Sequence, residues 1–211
     1  MTSLKGKIGI GTLIKTYGTL YSENLGIDLE GPKEQELFKW FLASILFGKR
    51  ISEKIAIKTY NEFVKKDVTT PDKILVTGWD GLVRILDDGG YVRYDFSTAT
   101  RLLDISKTLK ERYGGLIELY KAAADARDLE RRLQEFKGIG PVTTNIFLRE
   151  LRVAWPKSDV AVSPFVKEAA RELGIDLLKY KKNTKEFMRL ECALFKMMKS
   201  RPKPTFSSQR N

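Results

Sequence analysis

The sequence predicts an all-α fold of about ten helices in one continuous array. Apolar residues recur at helical spacing along most of the chain, and no alternation of apolar and polar residues lasts long enough to indicate a sheet. Glycines, prolines and Ser or Thr caps separate these stretches at short intervals. Apolar residues make up 42% and charged residues 31% of the chain, a composition typical of globular proteins.

The first predicted helices are amphipathic and joined by a short turn. One helix ends near Gly48 and presents an apolar face formed by Leu37, Phe38, Phe41, Leu42, Ile45 and Leu46. The next begins after Ser52, a candidate N-cap, and its inward residues are Ala56, Tyr60, Phe63 and Val64.

Later helices are punctuated by proline at their starts and glycine at their ends. They are predicted over residues 70–78, 80–87, 97–113, 116–124, 128–136, 141–152 and 163–174, and a last helix opens at Asn183 or Thr184 with Phe187, Leu190, Leu194 and Met197 inward. Thr70-Pro71 and Ser163-Pro164 are the clearest starts. Trp40, Trp79 and Trp155 are expected in the core or at an interface between lobes, and the single cysteine, Cys192, is expected to be buried.

Residue content excludes several kinds of site. The chain has no histidine, which excludes Ser-His-Asp and Cys-His catalysis and imidazole metal sites. One cysteine excludes an internal disulfide, a four-cysteine zinc site and a chain-encoded iron–sulfur cluster. No apolar run approaches the roughly 20 residues of a membrane span. The N-terminal MTSLKGKIGIG lacks a signal-peptide h-region, so we expect an intracellular protein of the cytoplasm or nucleoid, without a membrane partner.

Positive charge is concentrated towards the C-terminus. The net charge is +11, and residues 179–211 alone hold ten basic and two acidic residues, a net +8. Such a surface attracts polyanions, of which nucleic acid is the commonest. A solubilising basic tail explains the same distribution, so charge leaves both interpretations open. We expect residues 200–211 to form a basic flexible tail.

Residues 129–151, LERRLQEFKGIGPVTTNIFLREL, carry the most informative pattern. One helix ends at Phe136-Lys137, a Gly138-Ile139-Gly140 turn follows, and Pro141 starts another helix. The unpaired N–H groups of the turn and the positive end of the new helix dipole converge on a point that suits a phosphate. The same spacing fits an ordinary helix–helix turn with glycine caps.

LQEFKGIGPVTTNIFLREL resembles the helix-hairpin-helix element of the DNA glycosylases related to endonuclease III. Thr143 matches the threonine of that family's pattern, and Thr144 replaces a small alanine. Three further stretches resemble the family in the same order along the chain: FLASILFGKRISEKIAIKTYNEF, GGYVRYDFSTATRLLDISKTL and SDVAVSPFVKEAARELGI. The resemblance covers residues 34–175 within a single two-lobed unit over 1–211. It implies a diverged member, without the iron–sulfur cluster, that binds duplex DNA and extrudes a damaged base.

Two departures from the family pattern bear on mechanism. Bifunctional members carry a nucleophilic lysine where this chain has Val142, so the resemblance implies hydrolysis without a Schiff-base lyase step. The family's catalytic aspartate falls on Ser163, which can cap a helix but supplies no negative charge. Asp159 is the nearest carboxylate, and we expect it to stabilise the cationic sugar or orient the attacking water. The alternative for Asp159 is a solvated loop residue.

The resemblance also implies which residues contact DNA. Expected DNA contacts lie in the hairpin and in one loop, at Lys137, Gly138, Gly140, Val142, Thr143, Lys49 and Arg50. Tyr91, Tyr94 and Asp95 occupy a turn that faces the cleft in the family, where they would form a base pocket. The alternatives are a solvated Lys49-Arg50 pair and packing tyrosines. No metal cofactor is required, although the family suggests Na⁺ or K⁺ at the hairpin.

Three functions stay open at this point. The first is DNA repair by a monofunctional glycosylase, expected as a monomer, that hydrolyses the N-glycosidic bond of a deaminated or alkylated base. The second is a DNA-binding protein of the same fold that cleaves no bond, supported by Val142 and Ser163. The third is a helical scaffold whose basic tail binds protein or RNA, which is favoured if the hairpin glycines are buried.

Overall fold

The computed structural model describes residues 9–31 and 33–200. Within these ranges the chain is helical and contains no β-strand, which confirms the predicted all-α class. The α-helices in chain order are α1 (Ile10–Tyr17), α2 (Tyr21–Asn24), α3 (Glu34–Phe47), α4 (Glu53–Lys65), α5 (Pro71–Gly89), α6 (Asp95–Arg112), α7 (Leu116–Ala122), α8 (Ala126–Gln134), α9 (Pro141–Arg149), α10 (Pro164–Leu173) and α11 (Lys185–Ser200). A 3₁₀ helix, Leu177–Lys179, lies between α10 and α11.

Three predicted helix starts are confirmed by their caps. The hydroxyls of Ser52, Thr70 and Ser163 each accept a hydrogen bond from the backbone N–H three residues further on. Each hydroxyl thereby satisfies one of the N–H groups that the first turn of a helix leaves unpaired. Pro71 and Pro164 follow two of these caps, where the missing N–H costs no hydrogen bond.

Some helix boundaries differ from the prediction. The two short helices predicted on either side of Gly78 are present and are numbered together as α5; the backbone between them is non-helical at Gly78, with φ 68° and ψ 175°, which confirms the predicted break. α9 ends at Arg149, before the predicted end at Arg152. α1 and α2 were not predicted. The N-terminus of α2 depends on a distant carboxylate, because Glu150 accepts hydrogen bonds from the first two N–H groups of that helix.

Residues 21–161 form one compact unit. Within it α3 packs against α4, α7 and α9, and α5 packs against α4 and α6. Phe41 of α3 and Phe147 of α9 meet edge to face, with 5.0 Å between ring centroids. The indole N–H of Trp40 donates to the carbonyl oxygen of Phe147 at 2.9 Å. These contacts fix α9 against α3.

A second compact unit consists of residues 1–20 and 162–211, of which 9–20 and 162–200 are described. Here α11 packs against α1 and α10. The predicted inward residues of α11, Phe187, Leu190, Leu194 and Met197, are all buried, which confirms its orientation. Cys192 is buried as predicted, and its thiol donates to the carbonyl oxygen of Thr19.

Two burial predictions are wrong. Trp79 is 40% exposed, because its ring lies against Phe96 on the surface and its N–H donates to the hydroxyl of Thr100. Val64 is 45% exposed, because it lies outside the buried stripe of α4, which includes its neighbour Phe63. Trp40 and Trp155 are buried as predicted.

No helix in the described part of the chain is both long and apolar enough to span a membrane. The predicted basic flexible tail, residues 200–211, lies outside the described residues beyond Ser200.

Candidate nucleic-acid interface

The turn between α8 and α9 is exposed and anchored by apolar side chains. Gly138 has φ 88°, a left-handed conformation that favours glycine. The N–H of Ile139 donates to the carbonyl oxygen of Phe136 at 3.0 Å, and both of these side chains are buried. Gly138 itself is exposed and Gly140 is half-buried. Buried hairpin glycines would have favoured the scaffold hypothesis. Neither glycine is buried, so this support for the hypothesis is absent.

The start of α9 contacts the end of α3. Thr143 is buried, and a Cβ built on Gly48 would lie 3.2 Å from the Cβ of Thr143 and closer still to its hydroxyl oxygen. A side chain at position 48 would therefore collide with Thr143, which already occupies that space. The loop that carries Lys49 and Arg50 begins at this contact. The structure thus brings two predicted DNA-binding segments together.

Several cations line this junction. Arg50 and Lys137 are exposed, whereas Lys49 is half-buried. Burial and the positive charge of Arg101 lower the pKa of Lys49, so Arg101 of α6 lies close to the loop. None of these four residues forms an ion pair within the described part of the chain. Val142, at the start of α9, is 64% exposed.

The two tyrosines of the predicted base pocket, Tyr91 and Tyr94, differ in how deeply they are buried. Tyr91 is fully buried and its hydroxyl donates to the carbonyl oxygen of Leu46 at 2.8 Å, and burial raises its pKa. Tyr94 is half-buried, with its ring 6.1 Å from that of Tyr91 and the guanidinium of Arg93 over its face. Of the two tyrosines, only Tyr94 therefore presents ring surface to solvent. Tyr91 is a core residue in this structure.

Asp95 is buried at the start of α6. Its carboxylate accepts a hydrogen bond from the N–H of Phe96 at 2.6 Å. Burial, and a hydrogen bond that the protonated Asp87 carboxyl donates to the Asp95 side chain, raise the pKa of Asp87 at the end of α5. Asp95 therefore shares its surroundings with a second carboxyl group, which the sequence did not indicate.

Asp159 is exposed on the segment that follows α9. The carbonyl groups of the next two residues accept hydrogen bonds from side chains on α9 and just after it. Arg152 donates to the carbonyl oxygen of Val160 at 2.9 Å, and the Asn145 amide donates to that of Ala161 at 2.8 Å. Before it, the ring of Trp155 stacks on Tyr120 with 4.5 Å between centroids. The backbone around Asp159 is thus fixed by these contacts.

Glu130 of α8 lies near Asp159. Burial and the negative charge of Asp159 raise the pKa of Glu130. Sequence reasoning missed Glu130, since its position in a highly charged helix resembles that of an ordinary solvated residue.

Arg101 is the other functional candidate that sequence reasoning missed. It lies between the inward residues Ala99 and Leu102 of α6, so the helical pattern assigned it only to the flank of the buried face. Nothing local indicates that it reaches the hairpin.

Ser163 caps α10, as its place in the sequence predicted. Its hydroxyl oxygen accepts a hydrogen bond from the N–H of Val166 at 3.3 Å. The residue that the resemblance aligns with the glycosylases' aspartate is therefore a neutral N-cap in this structure.

Main-chain oxygens of the turn are open to a cation. Hydrogen bonds among the described residues do not use the carbonyl oxygens of Gly138 or Ile139. Such oxygens are suitable ligands for Na⁺ or K⁺, so the residues present fit the predicted ion. Side chains offer no comparable site, since the described residues contain no group of three or more Cys, Asp or Glu able to hold a metal.

Comparison with protein-family models, with curated proteins and with solved structures found no match to this chain.

Proposed function

We propose that this protein binds duplex DNA and excises a damaged base as a monofunctional DNA glycosylase. The observation that carries the proposal is the contact between Thr143 and Gly48, because it joins the hairpin turn to the Lys49-Arg50 loop. In this proposal α8, the turn after it and α9 act as a helix-hairpin-helix element. The resemblance to glycosylases described above supplies the reaction, and the contact supplies a continuous surface for the DNA.

The DNA backbone would bind at the hairpin turn and the adjoining loop. α9 begins at Pro141 without an acidic residue in its first turn, so its unpaired N–H groups and dipole attract a phosphate. Exposed Lys137 and Arg50 add positive charge on either side. A Na⁺ or K⁺ ion on the carbonyl oxygens of Gly138 and Ile139 would add to this charge.

Asp159 is the proposed catalytic carboxylate. Cleavage of an N-glycosidic bond passes through a transition state in which the sugar is positively charged, and a fixed carboxylate stabilises that charge or orients water. The hydrogen bonds to Val160 and Ala161 support this role, because they hold the backbone beside Asp159. Val142 offers no amine to attack the sugar, so the expected product is an intact strand with an abasic site.

A second candidate function is DNA binding without cleavage. Ser163 favours it, because this residue fills the family's catalytic position with a hydroxyl that already caps α10. Under this alternative Asp159 is a solvated loop residue, and the protein recognises or bends DNA without breaking a bond.

An excision assay separates these functions. Duplex oligonucleotides carrying uracil, hypoxanthine, 8-oxoguanine or an alkylated purine are incubated with wild type, Asp159→Asn or Asp104→Asn, and half of each reaction is heated in alkali. Asp104 is the control, since it is an exposed carboxylate of α6 to which the proposal assigns no role. The proposal expects strand breaks only after alkali, with wild type and Asp104→Asn but not with Asp159→Asn.

Other results would change the conclusion in defined ways. Breaks without alkali would contradict the monofunctional assignment. Full activity in Asp159→Asn would keep the glycosylase but remove its proposed catalytic residue. Salt-sensitive DNA binding with no excision of any lesion would favour the non-cleaving function.

A further inference from the structure

Arg101 lies directly on the hairpin turn. A Cβ built on Gly138 would be 2.5 Å from Cδ and 2.7 Å from Nε of Arg101. The space beside the turn that a side chain on residue 138 would fill is therefore occupied by the Arg101 side chain. This brings a guanidinium group from α6 to the turn that precedes α9.

Lys49 follows Gly48, whose backbone lies against Thr143 at the start of α9. Its ammonium group is half-buried and is close enough to Arg101 to be disfavoured by that charge. Neither cation forms an ion pair with any carboxylate in the described ranges 9–31 and 33–200. Two cations held together without a counter-charge repel each other, and a bound anion would relieve that repulsion.

We propose that Lys49 and Arg101 together hold one phosphodiester group of the DNA backbone beside Gly138. Arginine offers a planar set of donors that can bind two phosphate oxygens at once, and lysine adds a compact positive charge. The inference rests on the DNA-binding part of the proposed function and adds a side-chain clamp to the main-chain donors of the turn. It assigns Arg101 to substrate binding and not to the glycosylase reaction itself.

The test measures affinity for a short undamaged duplex by fluorescence anisotropy over a series of salt concentrations. The proteins are wild type, Lys49→Ala, Arg101→Ala, the double variant and Arg84→Ala. Arg84 is the control, because it is an exposed arginine of α5 without an ion pair among the described residues. Thermal unfolding of each variant, together with Arg101→Lys, separates lost binding from lost folding.

Each single variant at the clamp should weaken binding about tenfold, which is typical for the loss of a charge-assisted hydrogen bond. In duplex DNA each phosphate contacted by the protein contributes about 0.9 to the slope of log affinity against log salt. Because Lys49 and Arg101 share one phosphate, the magnitude of the slope should fall by about 0.9 in the double variant, whereas the loss of two separate phosphates would lower it by twice as much. Arg84→Ala should change neither quantity. Arg101→Lys should recover part of the affinity.

Methylphosphonate substitution tests whether the phosphate is shared. Each backbone phosphate of the duplex is neutralised in turn. At one position the neutralisation should weaken binding by the wild type but cause no further loss of binding in the double variant. The inference is overturned if wild type binds DNA in a salt-dependent way while the folded double variant keeps its affinity and slope. If folded wild type does not bind DNA at all, the proposed function fails together with this inference.

Discussion

The hydroxyl of Thr143 occupies the space that a side chain on Gly48 would need, although the two residues lie far apart in the sequence. The end of α3 and the start of α9 therefore meet without a gap. Because φ of Gly48 is −70°, its backbone would accept any residue, and only the approach of Thr143 requires glycine here.

Gly48→Ala should destabilise the protein by about 1–3 kcal/mol, the usual cost of overpacking a closely packed site. Thr143→Ala in the same chain removes the hydroxyl that the new methyl group meets, so the double variant should recover part of this loss. Urea unfolding with linear extrapolation measures both effects. A double variant less stable than Gly48→Ala alone would contradict the steric explanation.

Gly138→Ala and Gly174→Ala should cost similar stability but differ in DNA binding. Both glycines have positive φ, 88° and 67°, so an alanine at either position is strained by about 1–2 kcal/mol. Only at Gly138 does the new methyl group meet Arg101, whereas no atom of the described residues lies within 4 Å of a Cβ at Gly174. Anisotropy should therefore show weaker DNA binding for Gly138→Ala alone. Equal affinities for the two variants would separate Arg101 from DNA binding.

Much of the fold could be predicted because its signals are local. Ser52, Thr70 and Ser163 each bond to an N–H three residues away, so the cap and its helix are read from one short stretch. The same holds for the inward face of α11, which follows from helical spacing alone. α2 could not be predicted, since its N-terminus is stabilised by Glu150 from a distant part of the chain.

The candidate site was predicted only in part, for the same reason. Gly138, Thr143 and the Lys49-Arg50 loop were found from the motif and the resemblance. The approach of Arg101 to Gly138 is a contact between α6 and a turn after α8, and no local pattern encodes it. Likewise, nothing in the segment around Tyr91 indicated that its hydroxyl reaches Leu46 and places the ring in the core.

Lys157→Met should impair both stability and the activity assigned to Asp159. The ammonium group of Lys157 donates to the carbonyl oxygens of Tyr120 and Ala123 at the end of α7, at 3.2 and 2.5 Å, and lies over the Tyr120 ring. Methionine keeps much of the apolar stem but loses these charge-assisted hydrogen bonds, which predicts a loss of about 1–3 kcal/mol. Since Lys157 helps fix the segment that precedes Asp159, the excision rate should fall as well.

Lys121→Met is the control for this prediction. Lys121 also belongs to α7, but it is exposed, and its one ion pair within the described part of the chain is with Glu118 on the surface, so its replacement should change stability by less than about 0.5 kcal/mol. Urea unfolding and the alkali-dependent excision assay measure the two variants side by side. Unchanged excision by folded Lys157→Met would show that the segment keeps its position without this lysine.

Glu150→Gln should change how stability depends on pH. Glu150 is buried beneath the start of α2, and burial raises its pKa above the ordinary value of 4.5. The folded protein therefore retains this proton to higher pH than the unfolded chain does. It follows that the wild-type free energy of unfolding falls as pH rises from about 4.5 through the folded pKa, a loss that the glutamine variant lacks.

The measurement is urea unfolding of wild type and Glu150→Gln over a pH series from 4.5 to neutrality. The difference in stability, wild type minus variant, should decrease as pH rises. Glu111→Gln is the control, because this carboxylate of α6 is exposed and should not alter the slope. Parallel pH profiles for wild type and Glu150→Gln would mean that the hydrogen bonds from Tyr21 and Ser22 outweigh burial and keep Glu150 ionised.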